Sequence, residues 1–288
     1  MLAQTTKLVD SFALVAQRMT LADVPKLHEL SVGVGWMHRP QDWEMVLSLG
    51  EGVFAVDEIG RAVGSAMWFP MGDDLASVGM VIIAPRLQEQ GAGRWLMDQL
   101  LARTGSRDLT LNATRIAYRL YISLGFLPEC KVFQHNGVVV DNPEVPPGAR
   151  PMQASDEAAI RELDAVAIGA DRGKILDRLL AVSTGTVLER DGLIVGYALS
   201  RRFGRGRVVG PIVALDELDA IALASPHVRD RAGKFLRVDT REQVGPLRDY
   251  LVASGLRLHD TAITMSKGER RTIPGPQRIF GLINQAIG

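Results

Sequence analysis

Three stretches of this chain recur in the same order at a nearly constant spacing of about 130 residues. Met19 is followed four residues on by Asp23 and then by Glu29-Leu30. Met152 is followed four residues on by Asp156 and then by Glu162-Leu163. Each pattern reads as a strand end, a polar helix start and an amphipathic helix. Two hairpin patterns come next, turned at Asp57-Glu58-Ile59-Gly60 and at Asp191-Gly192. Last come two helices that stop at a glycine before an apolar strand, at Gly125-Phe126 and Gly255-Leu256. Repetition at this scale means one topology used twice, and 288 residues are ample for two domains. Residues 141–148, with Pro143, Pro146, Pro147 and Gly148, break the pattern and form a linker. The expected units are therefore 1–142 and 150–288. Each reads as strand, helices, a meander of strands, helix, strand, helix, strand. That order predicts an α+β fold with a mixed, mostly antiparallel sheet flanked by helices.

Charge excludes some functions. Lys+Arg and Asp+Glu both total 33, so no global field favours nucleic acid or an anionic membrane. The arginines at 201, 202, 205 and 207 read as a solvated turn. Cys130 is the only cysteine, which rules out an internal disulfide, and it reads as a small buried apolar side chain. No signal-like N-terminus or membrane-length apolar run is present, so a cytoplasmic protein without membrane or nucleic-acid partners is expected.

Chemistry concentrates in the first unit. The β-branched run Val81-Ile82-Ile83 stops before Pro85, and Gln88-x-x-Gly91-x-Gly93 then opens a helix. A helix start offers free backbone N–H groups and partial positive charge to an anion, and glycine lets a phosphate approach the backbone. The Gly-x-Gly-x-x-Gly dinucleotide pattern is absent because Trp95 and Leu96 follow Arg94, and no Gly-Lys-Ser/Thr of a nucleotide-triphosphate loop occurs here. A second element, Ala117-x-x-x-Tyr121-x-x-x-Gly125-Phe126, lies one helix and one strand downstream.

Together these two elements resemble the GNAT family of acetyl-CoA-dependent N-acetyltransferases, over about residues 16–135. The resemblance implies acetyl-CoA as co-substrate and no metal. It implies that the strand Val81, Ile82 and Ile83 offers backbone groups to the pantetheine arm. It further implies that the amides of Gln88, Glu89, Gln90, Gly91, Ala92, Gly93 and Arg94 hold the pyrophosphate, with Thr114 and Ala117 flanking the cofactor. Thr114 stands where the family usually has Asn. Tyr121 would protonate the departing thiolate; its ordinary pKa of about 10 keeps it protonated at neutral pH. The expected acceptor is a small amine. Trp36 and His38, between the first two helices, are candidates for facing it, as are Asn112, Asp171 and Arg172. For the general base the candidates are His38, Asp73, Asp74, Glu129 and a water held by Asn112. Two other readings stay open: an acyltransferase for longer acyl groups, and a CoA-binding sensor or scaffold without turnover.

Residues 151–268 resemble, more weakly, the second half of tandem members of the family, through Gly169-Ala170-Asp171-Arg172 and Gly210-Pro211-Ile212. This half lacks the loop. Asp216, Glu217 and Asp219 stand where a pyrophosphate would lie, and Leu251 replaces the tyrosine. It is expected to bind no CoA and to support or shape the acceptor site. Beyond Lys267, residues 270–276 read as a break, and 279–283 as an edge strand or short helix.

Overall fold

A computed structural model of the chain describes residues 6–9, 12–140, 146–269 and 273–288. Most of the linker (141–145) and the basic tail residues 270–272 lie outside the described residues. The first half runs β1 (Thr6–Val9), β2 (Phe12–Arg18), α1 (Val24–Gly33), α2 (Pro40–Leu49), β3 (Glu51–Val56), β4 (Ala62–Met71) and β5 (Leu75–Ile83). It continues with α3 (Ala92–Leu101), β6 (Asp108–Ala113), α4 (Tyr118–Ser123) and β7 (Leu127–Val138). The second runs β8 (Ala149–Pro151), α5 (Glu157–Ile168), α6 (Gly173–Leu180), β9 (Thr184–Arg190), β10 (Leu193–Phe203), β11 (Gly206–Ala214) and α7 (Glu217–Arg229). It closes with β12 (Phe235–Thr240), α8 (Pro246–Ala253), β13 (Arg257–Lys267) and β14 (Arg278–Gly281).

The repeated punctuation has a common geometry. Asp191 and Gly192 both have positive φ (52° and 76°), as a two-residue hairpin turn requires. Gly125 and Gly255 end α4 and α8 at φ 86° and 87°. The next residue in each case, Phe126 or Leu256, donates its N–H back to the helix, to Tyr121 or Leu251. A short turn separates the end of β6 at Ala113 from the start of α4 at Tyr118.

All strands join one mixed sheet, in the order β1-β2-β3-β4-β5-β6-β13-β7-β12-β11-β10-β9-β8, with β14 added on β11. The two halves exchange their long C-terminal strands. β6 pairs with β13 of the second half, β7 of the first half pairs with β12, and β7 and β13 pair with each other. Side chains alternate across this sheet. On one face α1, α2, α5 and α6 close a single core shared by both halves, with Trp43, Phe69, Leu179 and Tyr197 among its members. On the other face each half has its own core, one holding Leu96 and Phe126, the other Leu223 and Leu251.

Both β5 and β11 diverge from their parallel neighbours. The β5–β6 ladder ends at Val78↔Leu111 although β5 continues to Ile83, and the β11–β12 ladder ends at Val208↔Arg237 although β11 continues to Ala214. Each divergence opens a slot with unpaired backbone on its edge. In the second half β14 fills it, pairing antiparallel with Ile212–Ala214 while the Leu282 N–H donates to the Asp239 carbonyl on β12. Of the 279–283 stretch, residues 279–281 are therefore strand and not helix, laid against β11 alone.

Three side chains depart from their expected settings. Cys130 is exposed on β7. Arg201 is only 1% exposed, because the shared core and the C-terminal segment cover it. Arg172 is buried as well: its Nε and Nη2 donate to Asp164 at 2.7 Å each, its Nη1 donates to the Gly288 carbonyl, and the Tyr197 hydroxyl also donates to Asp164. Removing one partner of such a pair leaves an uncompensated charge in the core. Arg172→Met is expected to lower the unfolding free energy by about 3–5 kcal/mol, measured by urea denaturation.

Candidate active site

The slot beside β5 opens into a cavity of about 420 Å3. Its walls come from both halves. The first half contributes the α1–α2 loop with Trp36 and His38, the diverging part of β5 with Met80 and Val81, the end of β6 with Asn112 and Thr114, and Ala117 and Tyr121 at α4. The second half contributes Phe203, Gly204 and Arg205 at the β10–β11 turn, Phe235 and Arg237 on β12, His259 and Asp260 on β13, and residues 284–286.

The strand β5 is bent where it meets this space. Met80 adopts φ 52°, and its carbonyl accepts a 2.6 Å hydrogen bond from the Ser65 hydroxyl across a register shift in the β4–β5 ladder. Gly79 has no side chain because the backbone of Ala286 occupies that position. The Ala286 carbonyl also accepts from the Ser77 hydroxyl. Asn112 donates to the Gln285 carbonyl and accepts from Thr264, so both ends of its amide are engaged by protein groups.

At the other end of the slot is the glycine loop. Gly91 is the N-cap of α3 at φ 79°, and no side chain caps that helix. The first amides of α3, those of Ala92, Gly93 and Arg94, therefore lack intrahelical partners. Gln88 differs from its expected use. Its amide N–H donates to Pro85 and its side chain donates to the Ile83 carbonyl, so it braces the loop against β5. Glu89 is exposed at φ 63°, and Gln90 donates to the Arg86 carbonyl. The Arg94 guanidinium points along the surface to Ser123 and Asp98. Thr114 accepts from the Ala117 N–H and starts the turn into α4. One cation was missed by sequence reasoning. Lys7 on β1 sits beside the loop, its Nζ 3.6 Å from where a Cβ on Gly91 would be. Only the sheet brings it there, and no local pattern marks it.

Tyr121 is 4% exposed, lines the cavity and packs edge-on against Phe126. Burial pushes its phenol well above the ordinary tyrosine range. His38 is surrounded by the rings of Trp36, Trp43 and Phe203, and its Nδ1 is buried with no partner among the described residues. Burial lowers its pKa to about 4, so the imidazole is neutral at physiological pH. Burial alone would raise the Asp42 carboxyl, but hydrogen bonds from Arg39 and from the Gly204 N–H outweigh it and hold Asp42 below its usual range. The Gly204 bond ties the second half's turn onto the first turn of α2. Asp73, Asp74, Glu129, Asp171 and Arg172 do not line the cavity. Asp171 instead accepts from the Gly173 N–H at the surface, while Arg172 belongs to the buried pair with Asp164.

The equivalent place in the second half is differently finished. Asp216 caps α7 through the Asp219 N–H, Glu217 accepts from the Leu247 N–H, and Asp219 pairs with Arg190. The adjoining slot holds β14, and the N-terminus of α7 carries its own side-chain cap, Asp216.

Comparison with known proteins bears on this arrangement. Residues 35–142 and residues 160–281 each match the family of acetyltransferase (GNAT) domains. An N-acetyltransferase of Bacillus subtilis, the uncharacterized YitH, is 24% identical over 282 residues, covering 91% of this chain and 97% of its own. A protein of Pyrococcus horikoshii, described as a candidate acetyltransferase, shares the fold with a TM-score of 0.78 at 17% identity, over 96% of both chains. A tandem GNAT protein from the clavulanic acid biosynthesis pathway aligns with a TM-score of 0.61 at 16% identity, over 90% of this chain and all (100%) of its own. With both halves matched, the chain belongs to the GNAT family of acetyltransferases as a tandem, two-domain member.

Proposed function

We propose that this protein transfers an acetyl group from acetyl-CoA to the amine of a small molecule, using the site in the first half. The observation that carries the reading is the difference between the two slots. One leads to a helix N-terminus capped only by Gly91 with Lys7 beside it; the other is filled by β14 and capped by Asp216. The amides at the start of α3 suit a diphosphate, and Lys7 adds a cation. The edge of β5 beyond Val78 has backbone groups free for the amides of a pantetheine arm. Acetyl-CoA, when bound, supplies a thioester whose carbonyl carbon is the electrophile.

The side chains around the cavity then divide the remaining work. Tyr121 holds a proton at its hydroxyl across the physiological range, available to a departing sulfur. A backbone N–H at the bend of β5 is fixed before reaction and suits a developing oxyanion. Trp36 and the neutral His38 flank the space for the acceptor, so this wall adds no positive charge against an amine. The second half closes the site with its β10–β11 turn and binds no cofactor. Enclosure on this scale favours a small acceptor over a protein tail.

Tyr121→Phe is expected to lower kcat by about 10²- to 10⁴-fold, followed as thiol release from acetyl-CoA in the presence of an amine panel. Gly91→Glu puts a carboxylate and a side chain at φ 79° into the loop, and should abolish CoA binding measured by titration calorimetry. Stability should also depend on pH through His38 and His227, both lowered by burial from 6.5 to about 4. The unfolded chain takes up these protons at higher pH than the folded one. Stability is therefore full above pH 6.5 and falls as pH drops from 6.5 towards 4. His38→Leu is expected to make that fall shallower in urea midpoints measured across this range.

A further inference from the structure

The cavity wall built by the second half carries guanidinium groups that none of these roles uses. Arg205 stacks over the Phe235 ring at 4.7 Å, and Arg237 lies 5.5 Å from the Phe203 ring. Stacking fixes the plane of a guanidinium and leaves its edge N–H groups to donate in the forked pattern that suits a carboxylate. All four of these side chains line the cavity. Arg237 gives Nε and Nη2 to Asp239, at 2.9 and 2.7 Å, and its Nη1 has no partner among the described residues. Behind Phe203, at 5.0 Å from its ring, is the buried Arg201, held by the carbonyls of Ile283 and Arg202 and, among the described residues, by no carboxylate within ion-pair distance.

Charge bookkeeping narrows the occupant. Arg237 is matched by Asp239 and Asp42 by Arg39. Arg201 and Arg205 are left as cations, with Asp260 at the rim as the one carboxylate opposing them among the described lining residues. Counted together with these ion-pair partners and with Arg201, which lies outside the lining, the surplus is a single positive charge. A carboxylate seated at Arg205 offsets that charge locally, whereas an amine lacking any anion is repelled by it.

We infer that the acceptor is an amine that also carries a carboxylate, and that Arg205 and Arg237 hold that carboxylate. The inference rests on the acyltransferase reading and names the substrate class for the same site. It also assigns the second half a recognition role: the β10–β11 turn and β12 read the acceptor, while the first half carries the transfer.

The test uses the full chain and thiol release from acetyl-CoA. The probes are amino acids with the carboxylate one to four carbons from the amine, each beside its carboxamide and its decarboxylated amine, with an aminoalkyl phosphate and an amino sugar for comparison. The best carboxylate-bearing amine should exceed its carboxamide by at least about tenfold in kcat/KM, and Arg205→Gln should shrink that ratio by about tenfold to hundredfold, chiefly through KM. Arg205→Lys should recover part of it. Arg205 is the residue to change because removing Arg237 would strand the buried Asp239. Equal use of carboxamides, preference for the phosphate or the amino sugar, no accepted carboxylate, or a ratio unmoved by Arg205→Gln would each overturn the inference. CoA titrations on the same samples separate the two levels. With CoA binding intact, those results sink the acceptor assignment alone; absence of binding sinks the acyltransferase reading with it.

Discussion

β7 and β13 lie side by side in the middle of the sheet, and each has its other edge bonded to the opposite half of the chain. Backbone ladders of this length fix direction and register together. The two halves therefore cannot rotate about a linker as loosely joined domains do. The position of the β10–β11 turn over the α1–α2 loop follows from that fixed pairing, and the bond from Gly204 to Asp42 fastens it. A cavity lined by residues as distant in the chain as Trp36 and Asn284 is possible only because the sheet runs continuously through both halves.

Within this frame the same structural opportunity is used in two ways. Strands β5 and β11 both leave their parallel neighbours early, exposing backbone groups that must find partners. In the second half the chain supplies its own partner, β14, and Asp216 caps the start of α7 through the Asp219 N–H. Around β5 the C-terminal segment reaches only as far as Ser77 and Gly79, and the glycine loop beyond has no carboxylate cap. The difference between an open slot and a closed core comes down to a few residues at equivalent positions.

Local signals carried far in the sequence. The hairpin turns at 57–60 and 191–192, the helix-ending glycines 125 and 255, and the loop at 88–93 are each set by a backbone conformation that few residue types tolerate, so a short window reveals them. What escaped local reading involves partners far apart in the chain. The exchange of β7 and β13, the seating of β14 in the β11 slot, and Lys7 beside Gly91 have no periodicity to announce them. Arg172 and Arg201 escaped for a second reason. Arg201 reads as part of a solvated turn and Arg172 as a group facing the acceptor, and only the cover of the C-terminal segment, or the three-dimensional pairing with Asp164, buries them. Cys130 erred the opposite way: the first part of β7, residues 127–131, is exposed on both faces.

The exchanged strands also bear on how such a chain is inherited. A lone half would keep β6 with an empty edge and β7 with nothing to lie on, which is the state of one member of a strand-swapped dimer awaiting its twin. Joining two such copies end to end makes the encounter intramolecular and releases the second copy from having to work. That copy can then close its slot and diverge, yet it can never be discarded, because the first half's own last strand is embedded in it.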